Sequence, residues 1–207
     1  EAIADHLPQG CMVTSTASLL TPALAWADKY LPKGVSFVAG HPIIKPGNWA
    51  AEPSAELFQQ VQYCLVPSGK ANAGALNTLS GLVASIGALP FFLDAAEHDG
   101  LVTAVEGLAG VLGTLLMSAA AQASSWRDMR RLAGPVFACA TFNAQDDTAD
   151  MAAALRANRE NVARWLDIYR AKLSETQAAI PGEAPSASTR AAPPEFPGLR
   201  RGSLGRT

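Results

Sequence analysis

Charge is scarce in this chain. Asp, Glu, Lys and Arg make up 16% of its 207 residues, and 18 acidic against 16 basic side chains leave a formal net charge of -2. So small an imbalance creates no field that would gather a polyanion. With 7% aromatics and no basic cluster before the C-terminal segment, nothing points to a nucleic-acid partner. Cysteine is also sparse: Cys11, Cys64 and Cys139 lie far apart in apolar surroundings, without CxxC or metal-ligand spacing. Buried free thiols in a reducing, cytoplasmic setting are expected, with no disulfide and no metal. No GxGxxG follows a strand and no GxxxxGK[ST] occurs, so these residues alone do not assemble a complete nucleotide-binding fold. No signal peptide and no initiating methionine are present, and EAIADHLPQG reads as the end of a helix entering a strand. What is abundant is apolar surface, 49% of residues, enough for one large core or two small ones.

The most informative stretch runs from Asp94 to Arg131. Asp94 followed by Glu97 has the spacing of a capping box, in which two side chains satisfy backbone N–H groups left unpaired by the first helical turn. From Leu101 to Ala123 the only charge is Glu106. That length would just span a bilayer, but the segment is diluted with Gly, Ala, Ser and Thr and carries a mid-span acid, so no membrane span is expected. Gly107, Gly110 and Gly113 lie inside the helical pattern, where close packing against another helix, of a second subunit, is the expected use.

Before this stretch the chain reads as alternating α/β structure. Strands are predicted over residues 11–14, 35–39 and 60–66, with a helix over 19–31 whose apolar positions are Leu20, Leu24, Trp26, Ala27 and Leu31. Three strands with a helix between the first two suit the edge of a doubly wound sheet. A helix over 71–87 carries Leu76, Leu79, Leu82, Val83 and Ile86 on one face, and residues 89–93 read as an extended link. A short helix over 126–132 is followed by one long helix over 146–178. Its seam of Met151, Leu155, Asn158, Val162, Trp165, Tyr169 and Lys172 repeats at spacings of four and three. Asn158, the polar break in that seam, is either a register-fixing amide or a ligand contact. After Ile180 the composition turns to Pro, Ser, Gly and Ala with four arginines against two glutamates, the pattern of a disordered tail.

Six pieces in order carry a family resemblance: the strand entering TSTAS at residues 14–18, FVAGHPI at 37–43, LVP at 65–67, EHD at 97–99, WRDMRRLAG at 126–134 and LRANRENV at 155–162. Together they resemble the prephenate and arogenate dehydrogenases of tyrosine biosynthesis. The resemblance implies the C-terminal edge of a Rossmann-type α/β domain over 1–67, lacking that domain's N-terminal part. An all-helical dimerisation domain, similar to the C-terminal domain of 6-phosphogluconate dehydrogenase, would follow over 68–178, and the tail over 179–207. It implies an NAD(P)-dependent oxidative decarboxylation of prephenate or arogenate, NAD or NADP as cofactor, and a homodimer formed through the helical domain.

By the same resemblance His41, the histidine of GHP, polarises the substrate hydroxyl, a task suited to a side chain whose ordinary pKa lies near neutrality. Its place at the carboxyl end of a strand, where open α/β sheets bind ligands, supports the assignment independently. Ser18 corresponds to a serine that donates to the same oxygen, although a serine before a helix is also an ordinary N-cap. Arg131 corresponds to an arginine that pairs with a substrate carboxylate, for which the guanidinium fork is well shaped. His98 matches a substrate-side histidine, with helix-end electrostatics as its structural alternative. Thr14 and Asn158 are the expected cofactor contacts. The chain departs from the family in three places: Ser15 and Leu20 stand for an aspartate and a lysine, Gly107 and Gly110 for two histidines, and Ile43-Ile44-Lys45 for Met-Ala-Gly. A dehydrogenase of similar architecture acting on another acid, or a non-catalytic helical dimerisation module, remain the alternatives.

Overall fold

The computed structural model describes residues 3–44, 53–145 and 148–180; the expected tail over 179–207 lies outside them from residue 181 onward. The chain divides into two compact units, one built on a sheet and one spanning Ala96–Arg170.

In the sheet unit, β1 (Met12–Thr14) and β2 (Ser36–Pro42) run parallel, joined by α1 (Leu20–Tyr30). The next strand, β3 (Gln62–Pro67), is antiparallel to β2, with His41 opposite Cys64 and Gly40 opposite Leu65. After α2 (Ala73–Ser85) the chain returns as β4 (Leu89–Phe92), parallel to β3, and the sheet order is β1-β2-β3-β4. Two parallel strand–helix–strand units are thus joined by one antiparallel seam. The β4 segment was expected to be a link; its Pro90 lacks a backbone donor, which an edge strand tolerates.

Alternation along the strands separates two cores. Phe37, Ala39, Cys64 and Val66 pack with Leu20, Ala23 and Ala27 of α1, whereas Val38, Tyr63 and Leu65 pack with Leu79 and Val83 of α2. The two helices therefore cover opposite faces, and β2 is buried from Ser36 to His41. Two expected core positions are exposed instead, Trp26 and Leu82, because the buried stripes run through neighbouring helical positions. The end of α1 is closed from outside the helix: Lys70 Nζ donates to the carbonyls of Asp28 at 2.8 Å, Leu31 at 3.3 Å and Ala27 at 3.4 Å. A cation on the carbonyl end of a helix satisfies orphan acceptors and complements the helix dipole. Asn72 caps the other helix, its Oδ1 accepting from the Ala75 N–H at 2.7 Å.

In the second unit, α3 (Ala95–Val102), a π-turn at Thr103–Gly107 and α4 (Leu108–Gln122) form one continuous helix of 28 residues. It is long and apolar enough by composition to cross a membrane. Its glycines, however, serve packing inside this chain. A Cβ on Gly113 would stand 2.7 Å from the Ala140 carbonyl oxygen, and one on Gly110 would stand 3.3 Å from the Met151 methyl. The expected close approach is therefore present at Gly110 and Gly113, where its partners are Met151 and Ala140 of this chain.

Two short helices follow, α5 (Trp126–Leu132) and α6 (Pro135–Ala140), the second not anticipated. The single long helix expected over 146–178 is two, α7 (Thr148–Ala157) and α8 (Arg159–Ala179), divided at Asn158. Backbone bonds from Asn158 N–H to Ala154 and from Val162 N–H to Asn158 persist, so the break is local. The seam holds its partial burial through Trp165 and is exposed by Tyr169 and Lys172. Of the thiols, Cys64 is buried and Cys11 partly so, but Cys139 is exposed on α6, contrary to the expectation of three buried cysteines.

Candidate functional site

The sheet unit gathers polar groups at the carboxyl ends of its parallel strands β1 and β2. Thr14 ends β1, opposite Val38, and its hydroxyl donates to the Ser15 carbonyl at 3.4 Å. His41, 7% exposed, lies near the end of β2 on the same face as Phe37 and Ala39, the face covered by α1. Between the two strands the β1–α1 loop presses down on Gly40, where an added Cβ would meet both the Ser15 carbonyl oxygen and the Tyr63 ring at 2.8 Å. Only glycine permits that approach, so Gly40 sets how closely the loop lies to the strand that carries His41. Burial pushes the Tyr63 hydroxyl above its ordinary pKa, so it stays a neutral phenol. Ser18 is exposed in this loop. It is not the N-cap of α1, since Leu19 occupies that position and no side chain caps it.

Ser15 was not singled out as a site residue. Its hydroxyl oxygen is shut off from solvent and has no hydrogen-bond partner among the described residues. No pattern in the sequence announces this, because a missing partner is a property of the folded loop.

In the second unit, His98 and Asn158 belong to one hydrogen-bonded network. His98, 1% exposed, places Nδ1 2.9 Å from Asp99 Oδ1. The Thr103 hydroxyl donates to the Asp99 carbonyl at 2.6 Å, and Asn158 Nδ2 donates to that carbonyl at 3.0 Å and to the Thr103 hydroxyl. Asn161 Nδ2 then donates to Asn158 Oδ1 at 2.8 Å, and an Arg164 guanidinium nitrogen to Asn161 Oδ1 at 3.1 Å. Asn158, Asn161 and Arg164 recur every three residues, a helical-face signal visible in the sequence once Asn158 is taken as the anchor.

Thr103 also opens the π-turn, so the network holds the helix where its regular bonding changes. The same turn carries Glu106. Partial desolvation raises its carboxyl above the usual range, and His98 pulls it back.

Arg131 is exposed on α5 and makes no hydrogen bond or ion pair among the described residues; Arg127, Asp128 and Arg130 beside it are likewise exposed. Nor does the glycine-for-histidine exchange leave equal room at both positions. The space beside Gly110 is taken by Met151, whereas a Cβ at Gly107 would meet only Thr103 of its own helix, at 3.7 Å. A side chain at position 110 would have to displace the Met151 methyl.

The nucleotide-binding domain of prephenate dehydrogenase matches residues 1–90, and its dimerization domain matches residues 94–187. The chain belongs to the prephenate dehydrogenase family. Members of this family are oxidoreductases, and the architecture expected from the sequence, a Rossmann-type sheet followed by a helical domain, is the one observed.

Among curated proteins, the probable prephenate dehydrogenase NovF of Streptomyces niveus is 41% identical over 63 residues, 30% of this chain and 17% of NovF. Among solved structures, arogenate dehydrogenase of Synechocystis superposes with a TM-score of 0.70 at 21% identity, covering 87% of this chain and 65% of that one. Prephenate dehydrogenase of Aquifex aeolicus, in complex with hydroxyphenyl propionate and NAD+, gives 0.75 at 20% identity, covering 86% and 62%. At such identities the superpositions establish the fold. The chain spans less than two thirds of the length of each of these relatives.

Proposed function

We propose that this chain supplies the chemical end of the sheet domain and the helical domain of a dehydrogenase that oxidatively decarboxylates prephenate or arogenate. The observation that carries the reading is the position of His41. The family's nucleotide-binding domain covers it, and it lies buried near the carboxyl end of β2.

In this reading the cofactor is NAD or NADP. The accessible residues at this strand end are uncharged, the exposed Thr14 that ends β1 and Ser18 in the loop after it, which suits a nicotinamide group. When bound, that group supplies the hydride acceptor.

The chain's own residues manage the proton. A ring nitrogen of His41 accepts the proton of the substrate's ring hydroxyl as that carbon is oxidised, and Ser18 donates a hydrogen bond to the same oxygen. When the ring carboxylate leaves as carbon dioxide, the electrons of its carbon–carbon bond aromatise the ring. His41 then returns the proton to the resulting phenol oxygen, so no net proton is consumed. Arg131 supplies a fork for a substrate carboxylate. His98 acts on the substrate side from a position fixed by Asp99. Asn158, with its amide engaged by Asp99 and Thr103, serves the cofactor indirectly by holding the helix carrying His98.

The helical unit is read as the dimerising part of a soluble, cytoplasmic enzyme. Leu132 and Val136 are 85% and 86% exposed, and together with Leu116, Trp126, Met129 and Phe137 they border an open apolar cavity of about 460 Å3. A second copy of this chain would cover that surface, consistent with the matched dimerization domain. The glycines of α4 that pack on Ala140 and Met151 support a soluble packed helix over a lipid-facing one.

The test is turnover of the protein with prephenate and with arogenate, each with NAD+ and with NADP+. Reduction of one nicotinamide with release of carbon dioxide is expected; activity with neither acid would remove the reading.

A further inference from the structure

Glu106 is the charged side chain that the polar network of the helical unit leaves without a task. It is the only charge between Leu101 and Ala123, and it makes no hydrogen bond or ion pair among the described residues. Its carboxyl is partly desolvated, and the group whose charge it feels is His98, which already holds Asp99 at 2.9 Å. A carboxylate that loses water without gaining a cation is destabilised in its charged form.

The π-turn accounts for the nearness of the two residues. Glu106 follows His98 by eight residues, which at about 100° per residue would leave them roughly 80° apart around a regular α-helix. A π-turn takes up one residue more than an α-turn, so across Thr103–Gly107 the eight residues count as about seven and the offset falls to roughly 20°. Glu106 is thereby turned onto the face of His98. The turn is held from outside the helix, by the Asn158 amide on the Thr103 hydroxyl and the Asp99 carbonyl.

His98 is 1% exposed whereas Glu106 reaches solvent, so Glu106 is the member of the pair that a ligand meets. Beside it Gly107 carries no side chain, and a Cβ there would meet only Thr103 of the same helix, at 3.7 Å. Room is left next to a carboxylate that has no partner.

We propose that Glu106 is a specificity residue that reads the ammonium group of an amino-acid substrate, so that arogenate is oxidised in preference to prephenate; the assignment rests on the dehydrogenase reading given above. The two acids differ in one group, a side-chain ammonium in arogenate where prephenate has a keto oxygen. The ammonium brings a positive charge and three donors to the carboxylate, and stabilises the ionised form that desolvation disfavours. Prephenate brings only a carbonyl and a carboxylate to the same place, and the repulsion between like charges adds to the discrimination.

Steady-state turnover of the protein is measured with arogenate and with prephenate, for the parent and for Glu106→Gln, which keeps the shape of the side chain and removes its charge. Thermal midpoints are recorded in parallel and should stay close to one another. The parent should show the higher kcat/KM with arogenate. In Glu106→Gln the arogenate value should fall roughly 10- to 100-fold, the range of one hydrogen bond to a charged group, with the change carried by KM, while the prephenate value holds or rises. A parent that prefers prephenate would overturn the proposal and leave the dehydrogenase reading intact. Equal losses on both acids, or no loss on arogenate, would overturn it in the same way. A parent active with neither acid would remove the dehydrogenase reading itself, and this assignment with it.

Discussion

The two units treat their polar groups in opposite ways. In the helical unit the buried polar residues are engaged with one another: His98 with Asp99, Asn158 with Asp99 and Thr103, Asn161 with Asn158, and Arg164 with Asn161. In the sheet unit, the strand ends present a solvent-reaching Ser18, a Thr14 bonded only to a neighbouring carbonyl, and a Ser15 hydroxyl with no partner among the described residues. A saturated network fixes geometry, because each group lost strands another inside a low-dielectric interior. At the strand end the exposed Thr14 and Ser18 are the groups a ligand can reach. On the proposed reading, the strand end with His41 carries the proton chemistry, and the network of the helical unit holds the segment that presents His98.

Substitutions can break this division, and the largest effect is expected at His41. Replacing it with Asn removes the proton acceptor and should lower turnover by about 10^2- to 10^4-fold, the usual range for general acid–base catalysis, while dinucleotide affinity measured by calorimetry stays near that of the parent. An unchanged rate would take His41 out of the mechanism. Next comes Gly113→Ala, whose Cβ would stand 2.7 Å from a backbone oxygen that has no flexible end to yield. Overpacking of this kind costs about 1–3 kcal/mol, read as a lower denaturant midpoint; an unaffected midpoint would deny the close approach of α4.

Asn158→Ala comes third, expected to cost about 1–3 kcal/mol by leaving the Thr103 hydroxyl and Asp99 carbonyl short of a donor. Stability equal to the parent's would mean that the network is not holding the helix. The smallest effect is at Glu106. Its carboxyl is raised by desolvation, so the folded form binds its proton more tightly than the unfolded chain does. That contribution is present below the unfolded pKa and is lost as pH rises through the raised folded value. Glu106→Gln should therefore flatten a shallow decline in melting temperature on the alkaline side of the carboxylate range. Because Glu106 remains exposed to solvent, the change is expected to be slight. An identical pH profile in the variant would exclude Glu106 as its source.

Much of the sheet was legible because its physics is periodic. β2 reads as a strand from the short apolar run at residues 37–39, and α1 and α2 reveal themselves by helical spacing. What spacing does not reveal is which of two adjacent positions faces inward, and so Trp26 and Leu82 were placed in a core that runs beside them. β4 was hidden because four residues containing a proline carry too little pattern, and only its pairing with β3 defines it. The glycines of α4 correctly announced a close approach, but a small residue does not specify which neighbour comes near.

At the strand ends, His41 is singled out by its motif, and the strand expected to end at residue 39 runs on through it to Pro42. Ser15 had no such signal: its interest arises from lacking a partner, which depends on how the loop folds over Gly40. The division of the last long helix at Asn158 was equally invisible as a boundary, although the polar interruption of the seam marked the residue responsible. His98 and Asn158 were suspected separately. Their connection through the carbonyl and carboxylate of Asp99 is a tertiary fact that no local pattern encodes.

The division of labour is tested most directly by measuring turnover and thermal midpoint side by side for His41→Asn and Asn158→Ala, at a temperature where both variants remain folded. The account predicts a crossed result: turnover falls by at least about 10^2-fold in His41→Asn with little change in midpoint, and the midpoint falls in Asn158→Ala with turnover largely retained. Turnover lost in Asn158→Ala at an unchanged midpoint, with His41→Asn still active, would contradict it.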